Sequence, residues 1–232
     1  MMSHYAFIFA RGGSKGLPRK NILPLAGKPL LNWSIDTAKA IPIIDRIFVS
    51  TDDIEIANVA KAVGAEIIDR PKELASDTSA EWLSWQHAVE WVEKKYGKFD
   101  FFISLPATSP LRNEADVEAA IDKLKSTSAD VCITVTPSDR SPFFNMVKYT
   151  EDALVELVIK SDEQVSRRQD SPEIFDITTV TYVTTPTYIR ESNSVMAGKV
   201  TSVCVPRERA VDIDNQIDFD FAQLLANKLE QK

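Results

Sequence analysis

The chain is poor in the residues that most often announce chemistry. Across 232 residues it has two Cys, two His and seven Gly. Cys132 and Cys204 lie far apart, with no metal-like spacing, which argues against a thiolate metal cluster or a disulfide framework. Both sit in apolar, β-rich stretches and read as small buried hydrophobes in a reducing compartment. His87 falls in a Trp-rich helical pattern and reads as structural, and His4 reads as part of a loose terminus. Neither has a visible partner, so neither is assigned acid–base work. No apolar run approaches the ~20 residues needed to cross a bilayer. The N-terminus lacks a basic segment followed by a long apolar one. Positive charge is also short: 27 Lys and Arg face 34 Asp and Glu, for a net charge of −7. That is the wrong sign for general binding to nucleic acid or an anionic membrane. The expectation is a cytoplasmic protein with neither partner.

Against this scarcity, three of the seven Gly fall at positions 12, 13 and 16. They belong to Ala10-Arg11-Gly12-Gly13-Ser14-Lys15-Gly16-Leu17-Pro18-Arg19-Lys20-Asn21, which follows the apolar run Tyr5–Phe9. A Gly-rich basic turn after an early buried strand is what polyphosphate binding needs. Glycine lets backbone N–H groups approach the anion, and the cations neutralise it. The spacing is neither that of a Walker A loop nor that of a dinucleotide fingerprint. Alone, it is equally a sharp turn with solvated charges.

The first half alternates strand-like and helix-like segments. Strands are predicted at Tyr5–Phe9, Arg46–Ser50, Glu66–Ile68, Phe99–Leu105 and Asp130–Val135. Helical faces are marked by Leu31, Ile35 and Ala38, by Ile56, Val59 and Val63, by Trp82, Trp85, Val89 and Val92, and by Val117, Ile121 and Leu124. Gly64 reads as a helix stop and Asn113 as an N-cap. This order implies a mostly parallel sheet covered by helices on both faces, with ligands outside the carboxyl ends of the strands. After Pro137 the pattern changes to a hairpin, Asn145–Tyr149 and Ala153–Ile159, and a polar stretch over Ser161–Pro172. Strands over Thr178–Thr184 and Val200–Val205 return to the core. A last helix is predicted to bury Ile217, Phe221, Leu224 and Leu225 on one face.

The opening motif resembles the signature of the acylneuraminate cytidylyltransferases, which activate sialic acids and related sugars as CMP-sugars. Further motifs follow in that family's order: Val49-Ser50-Thr51-Asp52, Arg70-Pro71-Lys72-Glu73-Leu74-Ala75-Ser76-Asp77-Thr78, Ala107-Thr108-Ser109-Pro110-Leu111-Arg112 and Asp212-Ile213-Asp214. The resemblance implies one Rossmann-like, three-layer α/β nucleotidyltransferase domain over 1–232, with an inserted dimerisation arm at about 139–172. It implies a homodimer that takes CTP and a sialic-like nine-carbon sugar acid. An eight-carbon Kdo-type acceptor, or a non-catalytic nucleotide-binding protein, are the alternatives.

Residue by residue, the resemblance gives catalytic roles to Arg11, Lys20 and Asp212. It places the nucleotide on Ala10, Arg11, Gly12, Gly13, Ser14, Lys15, Lys20, Asn21, Arg70 and Asp77. Arg19 lies between matched positions and is either a contact or solvated. Asp212 and Asp214 are the expected Mg²⁺ (or Mn²⁺) ligands. Residues two apart in an extended segment share a face while Ile213 points to the core, and two hard carboxylates suit a cation that also takes phosphates and waters. The same pair would serve as an ordinary acidic turn before a helix. The acceptor is expected on Thr108, Ser109, Arg168, Gln169, Asp176 and Thr178, with Arg168 meeting the sugar carboxylate.

Two departures bear on that acceptor. Pro106-Ala107 stands where sialic-acid members often carry Gln. Asp176-Ile177-Thr178-Thr179 stands where they often carry Arg-Pro-Asn-Gly. Asp for Arg reverses a charge in the expected sugar pocket and resembles the legionaminic and pseudaminic branches; Asp176 capping a turn is the simpler reading.

Overall fold

The computed structural model describes residues 2–160, 167 and 170–229. Seven strands form the central sheet in the order β11-β7-β10-β6-β1-β4-β5. They are β1 (His4–Phe9), β4 (Arg46–Thr51), β5 (Glu66–Asp69), β6 (Phe101–Ser104), β7 (Val131–Pro137), β10 (Phe175–Thr184) and β11 (Val200–Cys204). Two short hairpins stand apart from it: β2 (Pro24–Leu25) with β3 (Lys28–Pro29), and β8 (Val147–Tyr149) with β9 (Val155–Leu157). All central pairings are parallel except those of β10, which runs antiparallel to both β6 and β7.

Alternation along β1 separates the two faces. Ala6 and Ile8 join the core beneath α1 (Leu30–Ala40), α2 (Ile54–Ala62) and α4 (Glu114–Lys125). Tyr5 and Phe7 join Phe48, Phe102, Trp82, Trp85, Val89 and Val92 beneath α3 (Glu81–Tyr96). Phe7 and Phe102 stack at 4.2 Å between ring centroids. Rings buried in this way contribute roughly 1.5–3 kcal/mol each, so the Trp stripe of α3 is core. The expected punctuation is present. Gly64 has φ 81° just beyond α2. Asn113 caps α4 with a reciprocal capping box to Asp116.

Three expectations are corrected. His4 is not in a loose terminus: it opens β1, is buried, and stacks on Phe101 at 4.7 Å. Burial lowers its pKa. Cys204 is exposed, because β11 is an edge strand, whereas Cys132 is buried and its thiol is pushed up to about 11. The last helix, α6 (Gln216–Leu229), turns a different face inward. Phe219, Ala222 and Ala226 pack on Leu17, Leu25, Leu30, Leu111 and Ile213, and of the expected stripe only Leu225 joins them; Ile217 (79% exposed), Phe221 and Leu224 point outward. The Asn215 side chain accepts from the N–H groups of Ile217 and Asp218, and Ile213 anchors the segment just before it. That start sets the rotation, and two alanines let the helix approach closely.

Candidate active site

Strand order reverses at β1, where the chain steps to β4 on one side and β6 on the other. At such a switch point the loops beyond the strands diverge and leave a crevice. A cavity of about 350 Å³ occupies it. Phe9 and the turn after β1, Arg70 after β5, the segment 106–108 after β6, the first residues of α3, and Thr179 and Tyr182 of β10 form its walls.

The Gly-rich turn is shaped by close approach. A Cβ on Gly16 would lie 2.2 Å from the Asp214 carbonyl oxygen, and one on Gly12 would lie 2.7 Å from Asp53 Oδ2. The first glycine lets the turn press against the Asp212–Asp214 segment, and the second against the start of α2. Lys20 is buried and completes the former contact. Its Nζ donates to the Ile213 carbonyl and to Asp214 Oδ1 at 3.2 Å. Asn21 Nδ2 donates to the Arg11 carbonyl at 3.0 Å and holds the turn's two ends together. Arg11 lines the cavity; its guanidinium pairs with Asp77 at 2.9 Å, and Lys15 pairs with the same carboxylate at 2.6 Å.

Arg70 is buried against Ser50, donating to its hydroxyl at 3.1 Å and its carbonyl at 2.7 Å, and lies over the Phe9 ring. Burial pushes its pKa down to about 10, opposed by Glu81 and Asp52. Asp212 stands against the hydroxyls of Thr108 and Thr179. Burial raises its carboxyl pKa, the two hydroxyls lower it, and Asp214 raises it further. Asp212 Oδ1 is buried without a hydrogen-bond partner among the described residues.

Of the expected contacts, Arg11, Ser14, Lys20, Asn21, Arg70, Asp77 and Thr108 line the cavity together. Others do not. The Ala10 N–H is spent on the Ser50 carbonyl, and the Gly12 N–H on Asp52 Oδ1. Gly13 has open space where a side chain would stand, and Lys15 is exposed. Arg19 is neither a cavity contact nor solvated alone: it adopts φ 58° and bridges Asp53 and Glu55. Ser109 is fully buried, its hydroxyl 2.5 Å from that of Thr179. Thr178 is buried and donates to Thr134, and Asp176 shares its face of β10. Ile177, on the other face, lines a second cavity instead. Arg168 and Gln169 lie outside the described residues.

The reason for the turn-away is a bulge. On β10 the register to β7 jumps between Thr178 and Tyr182, leaving residues 179–181 extra. Arg112 holds it. This fully buried guanidinium donates to the carbonyls of Val180, Thr179 and Pro106 and to the Ser34 hydroxyl. Burial pushes its pKa down to about 9. Arg112, Thr179, Tyr182 and Glu81 stand at the site without a role expected from sequence. Arg112 and Thr179 carry a signal, as the last residues of the Thr-Ser-Pro-Leu-Arg turn and of Asp176-Ile177-Thr178-Thr179.

The cytidylyltransferase family model matches residues 5–231. The chain is 34% identical over 222 residues to the CMP-N,N'-diacetyllegionaminic acid synthase of Campylobacter jejuni, covering 94% of this chain and 92% of that protein. It is 31% identical over 229 residues to a pseudaminic acid cytidylyltransferase of Campylobacter jejuni, covering 97% and 96%. In fold it is similar to a CMP-2-keto-3-deoxy-manno-octonic acid synthetase solved with CTP, with a TM-score of 0.73 and 16% identity over 98% of this chain and 99% of that one.

Proposed function

From the premise that this chain belongs to the cytidylyltransferase family, we propose that it transfers CMP from CTP to the anomeric hydroxyl of a nine-carbon, sialic-like 2-keto sugar acid, releasing pyrophosphate. The observation that carries this reading is the meeting of the turn after β1 with the Asp212–Asp214 segment, joined by Lys20 beside Arg11 in one cavity.

In the reaction, the bond between the acceptor oxygen and the α-phosphorus forms and the bond to the pyrophosphate oxygen breaks. The hydroxyl proton passes to solvent water. Negative charge gathers on phosphoryl oxygens, so the protein's work is positioning and electrostatic stabilisation. Arg11 and Lys20 supply fixed positive charge, and Arg70 closes the nucleotide end over Phe9. Asp212 and Asp214 would hold a Mg²⁺ or Mn²⁺, because Asp212 Oδ1 is buried with no hydrogen-bond partner among the described residues and hard carboxylates suit such cations. When bound, the cation neutralises phosphoryl charge.

The acceptor reading rests on the similarity to the legionaminic and pseudaminic acid relatives. A homodimer through the arm is part of the same proposal. Tyr149 (82% exposed), Leu154 and Val155 of the β8–β9 hairpin present apolar surface that a second copy would cover. Nothing in the described residues is a helix long and apolar enough to cross a membrane, and a cytoplasmic location is part of the proposal.

Pyrophosphate release should require CTP, a divalent cation and a sugar acid together, tested across sialic, legionaminic, pseudaminic and Kdo-type acids. Release with none of the nine-carbon acids would overturn the reading. CTP affinity indifferent to both Mg²⁺ and Asp212→Ala, measured by calorimetry, would point to a non-catalytic binder.

A further inference from the structure

A second cavity, of about 330 Å³, adjoins the first, and Glu81 and Tyr182 line both. Its other walls are mainly apolar, from Trp82, Trp85, Ile177, Val195 and Met196. Glu81 is therefore a carboxyl at the seam between a cationic cavity and an apolar one. It opens α3, whose Trp85 Nε1 donates to Oε1 at 3.2 Å. It makes no other hydrogen bond among the described residues, so the carboxylate that lines both cavities keeps acceptor capacity for a ligand. The charged groups about it are Arg70, which favours ionisation, and Asp212, which opposes it; Tyr182 also faces it.

We propose that Glu81 is a specificity-determining residue: its free oxygen accepts a hydrogen bond from an acylamino N–H carried by the acceptor sugar at the seam. This rests on the cytidylyltransferase reading, which puts the acceptor beside Asp212. A ligand entering the second cavity strips water from this carboxyl. A carboxyl desolvated without a donor is costly, so an acceptor that offers only a carbonyl, a carboxylate or bare carbon there is rejected. A hydroxyl would satisfy the oxygen but leave the apolar walls unfilled. An acylamino group offers a donor with apolar carbon beside it, which matches both.

The experiment uses the full chain, CTP, Mg²⁺ and two matched nine-carbon acceptors that carry an acylamino group or a hydroxyl at the same carbon. Wild type turning over neither acceptor would remove the underlying reading, not this residue assignment alone. Given turnover, Glu81→Ala should raise KM for the acylamino acceptor about tenfold or more and bring the kcat/KM ratio of the two acceptors toward one, with KM for CTP unchanged. Glu81→Gln keeps an acceptor for Trp85 but turns an N–H toward the substrate, and should lose the same preference in a chain with native packing. An unchanged acceptor ratio in both variants overturns the proposal. So does a rise in KM for CTP instead, which would assign Glu81 to the cytosine.

Discussion

Two turns leave the ends of adjacent strands, and both carry arginine, but to opposite ends. The turn after β1 keeps Arg11 partly exposed, paired with an exposed carboxylate of Asp77. The turn after β6 sends Arg112 inside, where it meets backbone carbonyls and a serine hydroxyl. The first cation can exchange its partner for a ligand, because its partner is solvated. The second cannot, because removing it would strand buried carbonyls. One turn is chemistry and the other holds the bulge that shapes the wall opposite. Position relative to the strand ends does not distinguish them; burial does.

The contrast can be broken from either side. Lys20→Met keeps the buried stem but removes the charge between the turn and Asp214. It should lower kcat about 10²- to 10³-fold in a pyrophosphate-release assay with little change in melting temperature. A matching collapse in stability would make Lys20 scaffolding too. Arg112→Met should do the reverse, lowering unfolding free energy by about 3 kcal/mol in a denaturant titration, as the carbonyls of Pro106, Thr179 and Val180 lose their donor. Unchanged stability would end its role as the clamp of the bulge.

Gly16→Ala sharpens the comparison. A Cβ there meets the Asp214 carbonyl, so turn and aspartate segment must part. A displacement near 1 Å predicts about a 10²-fold loss of activity with the fold retained by circular dichroism. The smallest effect belongs to Asp77→Asn. Both cations it holds are solvent-accessible, so releasing them should tighten CTP binding a few-fold at low salt, and the gain should fade as salt screens it. Weaker binding would instead make Asp77 the residue that orients Arg11.

Much of the fold was legible. Apolar runs and helical spacing located the strands and helices of the first half, because the central strands bury both faces and each helix buries one. The rotation of α6 was not: Ile217, Phe221 and Leu224 make as good a stripe as Phe219, Ala222 and Ala226, and only the cap at Asn215 and the shape of the surface beneath decide between them. In the site, Arg11, Lys20, Asn21, Arg70 and Thr108 could be named from contiguous motifs. That Asp176 and Thr178 lie outside the cavity lining was not legible, since three extra residues in β10 cannot be seen without its partner strand.

The sequence by itself determined the alternation of strands and helices, the cationic turn after the first strand and the late pair of aspartates, because each is a local pattern of residue types. Tertiary structure decided that Gly16 brings that turn onto Asp214, that Arg112 is scaffold while Arg11 is surface, and that Glu81 lies at a seam. These depend on distances between segments up to about two hundred residues apart, and local sequence carries no such distance.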